Sequence, residues 1–442
     1  MTRRSLLVGV FALLAFAQTQ AYYVYLRDDP GNYNGAGAQG DQVAYIDLAQ
    51  QILHGTWQGA VHYMPGLPAV LAVCQLIFGD PRLGIAIAQG LVFAAVVVCA
   101  AQLASRAFGN DSGPWAAGLV GLNPALGYYA SQALTESLTA AVLLALVGVI
   151  FAWSRAPQLS MAALGGALIA LAGYLRAEYL GLAILFGLIV LWIGRRTALR
   201  NAEAHAGLLI AVSALVMAPW VIRYAVVSGT PALYNESPFS NLVLMGTWFR
   251  VFDEQAFSEL QQIESAPGPR EQAIQRAATV GPRPDLSLRY MEQARGPYER
   301  PLAETLGLAW GNIQLNARQY LVNHAVLAPV LIWAGHTPVR QADVPHLPAS
   351  ARYAIWAAEL GLLLLALWQA LLALRDPETL ALAASFLCVV LFLTAVHVVI
   401  AVDDRFTIPA LPLVGLFAGA RLAQLSSARP RVAVGYAHSA QR

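Results

Sequence analysis

Residues 40–70 read GDQVAYIDLAQQILHGTWQGAVHYMPGLPAV, and the interpretation of the whole chain starts from this stretch. From Asp41 onward apolar residues recur at helical spacing with glutamines opposite them, and Gly55 follows as a stop signal. This pattern predicts an amphipathic helix that lies in a membrane interface. Pro65 and Pro68 then open an apolar run over 64–79, which is short for a transmembrane span.

The composition around this stretch is that of a membrane protein. Of the 442 residues, 58% are hydrophobic and 12% are charged, whereas a soluble domain carries about 25% charged residues. No basic stripe with interleaved aromatic residues is present, so no nucleic-acid partner is expected. The three cysteines lie in apolar runs without metal-ligand spacing, which indicates core residues and neither disulfides nor metal ligands.

Apolar runs long enough to cross a bilayer recur along the chain. The predicted spans are 5–26, 83–105, 114–131, 136–153, 161–176, 178–194, 206–226, 353–374, 379–400 and 405–423. The first run could instead be a cleaved signal peptide, but its apolar and aromatic residues continue through YYVYL, which favours a retained span. Two shorter runs, 64–79 and 320–335, either cross the membrane or lie at its surface.

Arginine placement predicts the orientation of these spans. The basic N-terminus and the tail 425–442 are expected in the cytoplasm, and so are Arg106, Arg155, the GRRTALR run at 194–200 and Arg375. The first outer loop, 27–82, then faces outward within an N-terminal transmembrane module of 1–226. The proline-rich and mixed-charge stretch 227–350 is predicted to be a mainly helical extracytoplasmic loop domain, with short amphipathic helices near 254–264 and 304–325. C-terminal transmembrane helices are predicted over 351–424.

Ionisable residues collect at the outer ends of the predicted spans. Charged groups inside a membrane are costly unless they are paired or hydrated, so this accumulation indicates a polar cavity that opens outward. Each residue also has an ordinary interpretation, such as a helix cap for Asp41, a salt-bridged turn, a side chain that reaches the headgroups, or a solvated loop. The residues are Asp41, Glu136, Arg176, Glu178, Arg223, His397, Asp403, Asp404 and Arg405.

Several segments together resemble the GT-C superfamily of membrane glycosyltransferases. GDQVAYIDLAQQILHG with HYMPGLPAVLAV is similar to the first outer loop of that superfamily, in the branch of protein O-mannosyltransferases, aminoarabinose transferases and Rgt-type lipopolysaccharide glycosyltransferases. Later landmarks follow in the same order: NPALGYYASQALTESLTAA, YLRAEYL, PWVIRYAVVSGTPALYNESPFSNLVLMG and DDRFTIPALPLV. The resemblance implies an all-α polytopic membrane protein with the GT-C fold and about 10–11 transmembrane helices.

The resemblance also implies transfer of a sugar from a polyprenyl-phosphate donor on the outer face of the cytoplasmic membrane. The essential acid of the first outer loop falls on Asp41, and the second outer acid corresponds to Glu136. Many relatives have two adjacent acids at the first position, whereas this chain has Asp41 followed by Gln42. One carboxylate must therefore serve, and no cofactor is expected, with a divalent metal ion not favoured.

Simple chemistry supports the same roles. Asp41 would accept a proton from the acceptor hydroxyl as its oxygen attacks the anomeric carbon, giving inversion in one displacement. Arg223, Arg176 or Arg405 would grip the leaving phosphate, because a guanidinium binds phosphate oxygens bidentately. Glu136 and Glu178 would orient these arginines or bind sugar hydroxyls. Two further residues, His62 and Tyr63, could line the pocket.

Two other functions are compatible with a polytopic chain. A transporter or flippase of lipid-linked sugars would carry charges near the membrane midplane and often repeated halves, neither of which is evident. An undecaprenyl-linked glycan polymerase or ligase would place its chemistry in the late loop, where His324, His336 or Arg340 would matter. In the glycosyltransferase interpretation the acceptor is an envelope glycolipid, glycan or protein, and the enzyme lies in a bacterial inner membrane with its site facing the periplasm or exterior.

Overall fold

The computed structural model describes residues 2–27, 41–57, 63–229, 265–280, 301–334, 349–399 and 404–427, with short pieces between 231 and 293. We number its α-helices in chain order. They are α1 Arg3–Leu26, α2 Asp41–Leu53, α3 Gly66–Phe78, α4 Pro81–Phe108, α5 Ser112–Gly121, α6 Pro124–Ala130, α7 Glu136–Arg155, α8 Leu159–Leu175, α9 Leu182–Arg196, α10 Ala202–Ser228, α11 Arg270–Ala277, α12 Leu302–Leu315, α13 Ala317–Val322, α14 Ala328–Ala334, α15 Ala349–Ala373, α16 Leu380–His397 and α17 Leu411–Ser427. Helical turns of other types occupy Ala177–Gly181, Asn323–Leu327 and Asp404–Ala410.

Eight helical segments in the described part of the chain are long and apolar enough to cross a membrane. They are Arg3–Leu26, Pro81–Phe108, Glu136–Arg155, Ala177–Arg196, Ala202–Ser228, Tyr353–Ala373, Leu380–His397 and Arg405–Ser427. Each corresponds to one of the ten predicted spans. A ninth prediction, 161–176, corresponds to α8, an apolar helix of 17 residues. The chain is therefore a multi-pass, all-helical membrane protein.

The predicted span 114–131 is divided into two helices, α5 and α6. Pro124 lacks an amide hydrogen and keeps the preceding residue out of the helical conformation, so Asn123 is extended with a ψ of 115°. The Asn123 side chain then accepts a hydrogen bond from the Leu126 amide at 3.1 Å and starts α6. After this break, α6 leads into the short segment that precedes Glu136.

The segment predicted to be the first outer loop contains two short helices, as its sequence pattern predicts. Helix α2 begins at Asp41 and includes the predicted apolar positions, while α3 covers most of the run 64–79. At a rise of 1.5 Å per residue, the 13 residues of α3 span about 20 Å, which is less than the hydrocarbon thickness of about 30 Å. This length agrees with an interfacial or re-entrant helix.

The N-terminal end of α3 is pressed against the C-terminal end of α8. A Cβ atom added to Gly66 would lie 2.6 Å from the Tyr174 carbonyl oxygen, so the two backbones approach as closely as a glycine permits. This contact fixes Tyr63 and Met64, which lie just before the N-cap residue Pro65, beside the residues around Arg176.

The described parts of 227–350 are helical, with a small hydrophobic core of their own. Leu244, Leu260, Ala277, Leu288 and Ala309 form this core, separate from the large one between the membrane helices. Helices α12 and α13 match the amphipathic pattern predicted near 304–325. The second prediction, near 254–264, falls mostly outside the described residues.

The run 320–335 continues from α13 through the π-helical turn into α14 and ends against the membrane helices. The Trp333 indole donates to the Thr394 hydroxyl on α16 at 2.9 Å, and the Thr407 hydroxyl donates to the Ile332 carbonyl oxygen. This segment thereby joins the loop region to the helical bundle.

Candidate active site

Asp41 is the first residue of α2, and its carboxylate bridges two distant parts of the chain. Its Oδ2 accepts a hydrogen bond from Arg405 Nη1 at 2.7 Å, and its Oδ1 accepts one from the Tyr63 hydroxyl at 3.0 Å. The Asp41 side chain is 30% exposed and that of Arg405 is 26% exposed, so the pair is accessible but largely enclosed. Residues 41, 63 and 405 thus meet at one point.

The surroundings of Asp41 favour its ionised form. Burial raises the pKa of this carboxyl, but the charge and hydrogen bond of Arg405, the Tyr63 hydroxyl and the charge of Arg176 together outweigh it. The pKa of Asp41 therefore lies below its ordinary value of 3.8. At neutral pH the group is a carboxylate and can accept a proton.

A second charged group lies next to Asp41. Arg176 Nε donates to Glu178 Oε1 at 2.6 Å, and Arg176 Nη1 lies 3.6 Å from Glu136 Oε1. Glu136 is 2% exposed at the start of α7, and its Oε2 is buried with no hydrogen-bond partner in the described part of the chain. Arg176 can occupy this position because it is extended between α8 and the turn Ala177–Gly181.

One aromatic ring, that of Phe406, holds the two arginines together. The Arg176 guanidinium lies 4.7 Å from the centre of the ring and that of Arg405 lies 5.4 Å from it. The imidazole of His397 stacks on the same ring, with 4.3 Å between centroids and 16° between planes. Because these three groups share one ring, the positions of the two guanidinium groups are coupled.

Buried glutamines fix the base of the site. Gln42 Nε2 donates to Gln132 Oε1 at 2.6 Å, and Gln42 Oε1 accepts from the Ala133 amide at 3.0 Å. From α4, Gln89 Nε2 donates to the carbonyl oxygens of Gln132 and Leu134 at 3.0 and 3.1 Å. These bonds tie the start of α2 to the segment just before Glu136, and so set the spacing of the two acidic residues.

Tyr45 completes the wall on the α2 side. Its ring packs edge-on against that of Tyr63, with 4.8 Å between centroids, and burial raises the pKa of its hydroxyl far above the usual range. Tyr45 is therefore neutral at physiological pH, and it supports the ring whose hydroxyl contacts Asp41.

The structure brings most of the predicted site residues together. Asp41, Tyr63, Glu136, Arg176, Glu178 and Arg405 form one continuous cluster. His62 lies outside the described residues. Arg223 occupies a different position, where its guanidinium stacks 4.1 Å from the centre of the Trp57 ring and its Nη2 donates to the Trp57 carbonyl oxygen at 2.9 Å.

Sequence reasoning missed the neutral members of the site. Gln42, Gln89, Gln132 and Phe406 carry no charge, so the cost of placing charge in a membrane does not single them out. A usable signal was present for Gln89, because it is an amide side chain flanked on both sides by apolar residues of a predicted span. Phe406 stands directly after Arg405 in DDRF, where an aromatic residue beside an arginine is a weaker indication.

The late-loop residues are placed only in part. Both ring nitrogens of His324 face backbone carbonyl oxygens, that of Val398 and that of Gly246, the latter at 2.7 Å from Nε2. His336 and Arg340 lie outside the described residues. Within the described part of the chain, no three His, Cys, Asp or Glu side chains come close enough to hold a metal ion.

Comparisons of sequence found no family model and no curated protein that matches this chain. Comparison of structures did find similar folds. The oligosaccharyltransferase AglB from Archaeoglobus fulgidus, solved with an inhibitory peptide and a dolichol-phosphate, aligns over 96% of this chain and 50% of its own, with a TM-score of 0.52 and 12% identity. Its apo form aligns over 94% of this chain and 50% of its own, with a TM-score of 0.52 and 11% identity.

ArnT from Cupriavidus metallidurans, solved with undecaprenyl phosphate, aligns over 96% of this chain and 78% of its own, with a TM-score of 0.38 and 16% identity. AglB is a GT-C membrane glycosyltransferase. The chain spans about half the length of AglB, and at this identity the likeness shows the fold. The GT-C fold that the sequence resemblance implied is confirmed.

Proposed function

From the GT-C fold and the Asp41 cluster, we propose that this chain is a membrane glycosyltransferase that uses a polyprenyl-phosphate sugar. The acceptor is a hydroxyl group on an envelope glycolipid, glycan or protein, and the reaction takes place on the extracytoplasmic face of the membrane. The fold by itself does not define a reaction, so the proposal rests on the site. One observation carries it: an ionised carboxylate at the start of α2 lies beside a paired arginine and a second buried carboxyl group.

Asp41 is the proposed general base. The acceptor hydroxyl attacks the anomeric carbon, its proton passes to Asp41, a new carbon–oxygen bond forms, and the bond to the phosphate oxygen breaks. The polyprenyl phosphate leaves with the bonding electrons, and the configuration at the anomeric carbon inverts. General-base assistance accounts for about 10²- to 10⁴-fold in rate, and positioning supplies much of the remainder.

The arginines are the proposed partners of the donor phosphate. A phosphate is already a good leaving group, so it needs charge stabilisation from guanidinium groups such as Arg176, Arg223 or Arg405. Glu136 and Glu178 hold Arg176 in position through the contacts described above. Tyr63 orients the Asp41 carboxylate through its hydroxyl, and His62 is proposed to line the same pocket.

The depth of the site suits this donor. A polyprenyl phosphate keeps its tail in the lipid and its phosphate among the headgroups, so the reacting carbon lies at the boundary with water. An amphipathic helix such as α2 lies at that same level. The proposed location is the inner membrane of a bacterium, with the site facing the periplasm or the cell exterior.

The decisive test replaces Asp41. We expect Asp41→Asn to reduce transfer from a polyprenyl-phosphate sugar by at least about 100-fold, because the general base is lost. Asp47→Asn is the matched control, since Asp47 is an exposed residue on the same helix and should leave the rate near that of the unaltered protein. Thermal unfolding in detergent checks that both variants fold.

Two results would contradict the proposal. Full transfer by the folded Asp41→Asn variant would exclude Asp41 as the base. Movement of an intact lipid-linked sugar across the membrane, with no new glycosidic bond, would indicate a flippase.

A further inference from the structure

The last turns of α9 form a hollow on the surface of the helical bundle, far from the Asp41 cluster. Its volume is about 460 Å³, and all of its lining residues come from this one helix: Leu188, Leu191, Trp192, Arg195 and Arg196. The span Ala177–Arg196 has 20 residues, and a helix of that length covers about 30 Å, the thickness of the hydrocarbon core. The hollow therefore lies at the headgroup layer opposite to the candidate active site.

An exposed apolar row leads into this hollow from within the membrane. Ile184, Leu188 and Trp192 follow one another at intervals of four residues, so they lie on one face of α9. Their exposed fractions are 62%, 57% and 42%, and the row is about 12 Å long. Arg196 is the next residue at the same spacing. A face that contacts lipid chains thus ends at a guanidinium group.

The guanidinium of Arg196 is held in place but keeps its charge. Its carbon lies 5.3 Å from the centre of the Trp192 ring, and an aromatic face attracts a cation without neutralising it. Among the described residues Arg196 has no carboxylate partner, whereas Arg195 lies 3.1 Å from Glu203. Because both members of that pair are more than half exposed, the pair contributes little, and Arg195 can turn to a second anion.

The two arginines are not needed to complete the end of α9. The Thr197 and Leu199 amides donate to the carbonyl oxygens of Ile193 and Gly194 at 2.9 and 2.8 Å, so the helix closes with its own backbone. Residues 194–204 contain three arginines and one glutamate, which leaves this end of the helix with a net charge of +2. The charge is therefore available to a ligand.

An apolar row that ends at two guanidinium groups fits one class of ligand. A free phosphate would contact the arginines and leave the row uncovered, and a zwitterionic headgroup would bring a second cation beside them. An anionic phospholipid offers a phosphate to the guanidinium groups and an acyl chain to the row. The indole of Trp192 lies where these two parts of the lipid join, as interfacial tryptophans do.

We propose that the hollow on α9 binds an anionic glycerophospholipid of the leaflet at the predicted cytoplasmic end. Its phosphate contacts Arg196 and Arg195, and one acyl chain follows Leu188 and Ile184. This inference does not depend on the proposed reaction. The bound lipid anchors the end of α9 that is opposite to Arg176, and so helps to fix the depth of this helix in the bilayer.

The test counts bound lipids by native mass spectrometry of the full-length protein. The protein is titrated with phosphatidylglycerol, and separately with phosphatidylcholine that has the same acyl chains. We expect the unaltered protein to bind phosphatidylglycerol about 5-fold more tightly, and Arg196→Gln to lose most of this preference. Leu188→Asn, which interrupts the apolar row, should weaken the binding of both lipids by about 3-fold or more.

Arg155→Gln is the matched control, because it removes the same charge at the same end of the bundle. The Arg155 guanidinium also lies over an aromatic ring, that of Phe151 at 4.3 Å, but it is 4.0 Å from the carboxylate of Glu378. This variant should change the affinity for phosphatidylglycerol by less than about 2-fold. Thermal unfolding in detergent checks that all three variants fold.

Three results would overturn the inference. The first is an unaltered protein that binds the two lipids equally. The second is an equal loss of affinity in Arg155→Gln and Arg196→Gln, which would indicate a general attraction between the lipid and a basic surface. The third is binding of sn-glycerol 3-phosphate, which has no acyl chain, as tightly as phosphatidylglycerol.

Discussion

At the scale of single residues, the decisive contact is the ion pair between Asp41 and Arg405. It joins residues that are 364 positions apart and places a carboxylate, a guanidinium and a phenol at one point. The pairing keeps the Asp41 carboxylate ionised but also lowers its basicity. In the proposed mechanism Arg405 therefore sets the pH range in which Asp41 is available as a base.

The pH profile of transfer should reveal this control. Because Arg405 and Tyr63 outweigh burial, the pKa of Asp41 is below 3.8, and the unaltered protein should show no loss of rate from this group between about pH 5 and 8. In Arg405→Gln the charge is removed while burial remains, so the pKa of Asp41 rises. As the pH is lowered, the rate of this variant should therefore begin to fall at a higher pH than that of the unaltered protein. Rates of transfer across this range, normalised to each variant's maximum, test the shift.

The same pair links pH to stability. A carboxyl group whose pKa is lower in the folded protein stabilises the fold above its unfolded pKa, and this contribution is lost as the pH falls through the folded value. The free energy of unfolding of Asp41→Asn should therefore depend less on pH in the acid range than that of the unaltered protein. The profiles of transfer rate against pH test the role of Arg405 directly. If the rates of Arg405→Gln and of the unaltered protein fell at the same acid pH, the role assigned to Arg405 would be wrong.

The charged residues of the site could be predicted because charge is rare and costly in this chain. Only 12% of the residues are charged, so a charged residue at the outer end of an apolar span stands out. Their pairing could not be predicted, since Arg405 reaches Asp41 through packing between the two ends of the chain. Arg223 shows the limit: its charge was found, but its separation from the Asp41 cluster follows from the stacking on Trp57.

At the scale of elements, the contact between α5 and α17 depends on small residues. Gly415 and Gly419 are four residues apart on α17, a spacing that lets membrane helices approach closely. A Cβ atom added to Gly419 would lie 2.6 Å from the Ala116 amide nitrogen, and one added to Gly415 would lie 2.7 Å from a methyl group of Val120. This packing supports the turn Asp404–Ala410, which carries Arg405.

Gly419→Ala should therefore destabilise the protein. The added methyl group meets backbone atoms of α5, and overpacking of this kind costs about 1–3 kcal/mol. Gly361→Ala on α15 is the control, because no atom lies within 4 Å of its added Cβ and alanine favours a helix. Thermal unfolding in detergent should show a lower midpoint for Gly419→Ala alone; equal midpoints would show that the two helices adapt.

The hydropathy of the sequence predicts where the long membrane helices lie better than it predicts where a helix is broken. The eight long segments follow from apolar length alone, whereas the division of 114–131 depends on Pro124 and the Asn123 cap. Both residues are visible in the sequence, but proline is tolerated inside membrane helices, and Pro219 indeed lies within α10. Whether a proline divides a helix is decided by its neighbours in space.

In the molecule as a whole, two ion pairs lie at the end of the helical bundle opposite to Asp41. Arg4 at the start of α1 pairs with Asp111 before α5, and Arg155 at the end of α7 lies 4.0 Å from Glu378 before α16. These are the segments that the arginine pattern predicts to be cytoplasmic. The grouping of loops at the two ends thus agrees with the predicted arrangement, while the assignment of the ends to compartments stays a prediction.

Cysteine labelling tests that assignment. In a background with Cys74, Cys99 and Cys388 replaced, we expect His54→Cys, after α2, to react with a membrane-impermeant maleimide on intact spheroplasts. Arg196→Cys, at the end of α9, should react only after the membrane is permeabilised. Both parent residues are exposed, so the difference reports the side of the membrane. The reverse pattern would place Asp41 in the cytoplasm.

The base of the site is formed by Gln42, Gln89 and Gln132. Their carboxamides neither gain nor lose protons in the pH range where carboxylates titrate. Acidification should therefore stop proton transfer to Asp41, while the glutamine hydrogen bonds that align α2 with the start of α7 remain. With Asp41 as the proposed base, transfer should stop in acid while the protein stays folded, and it should return when the medium is neutralised.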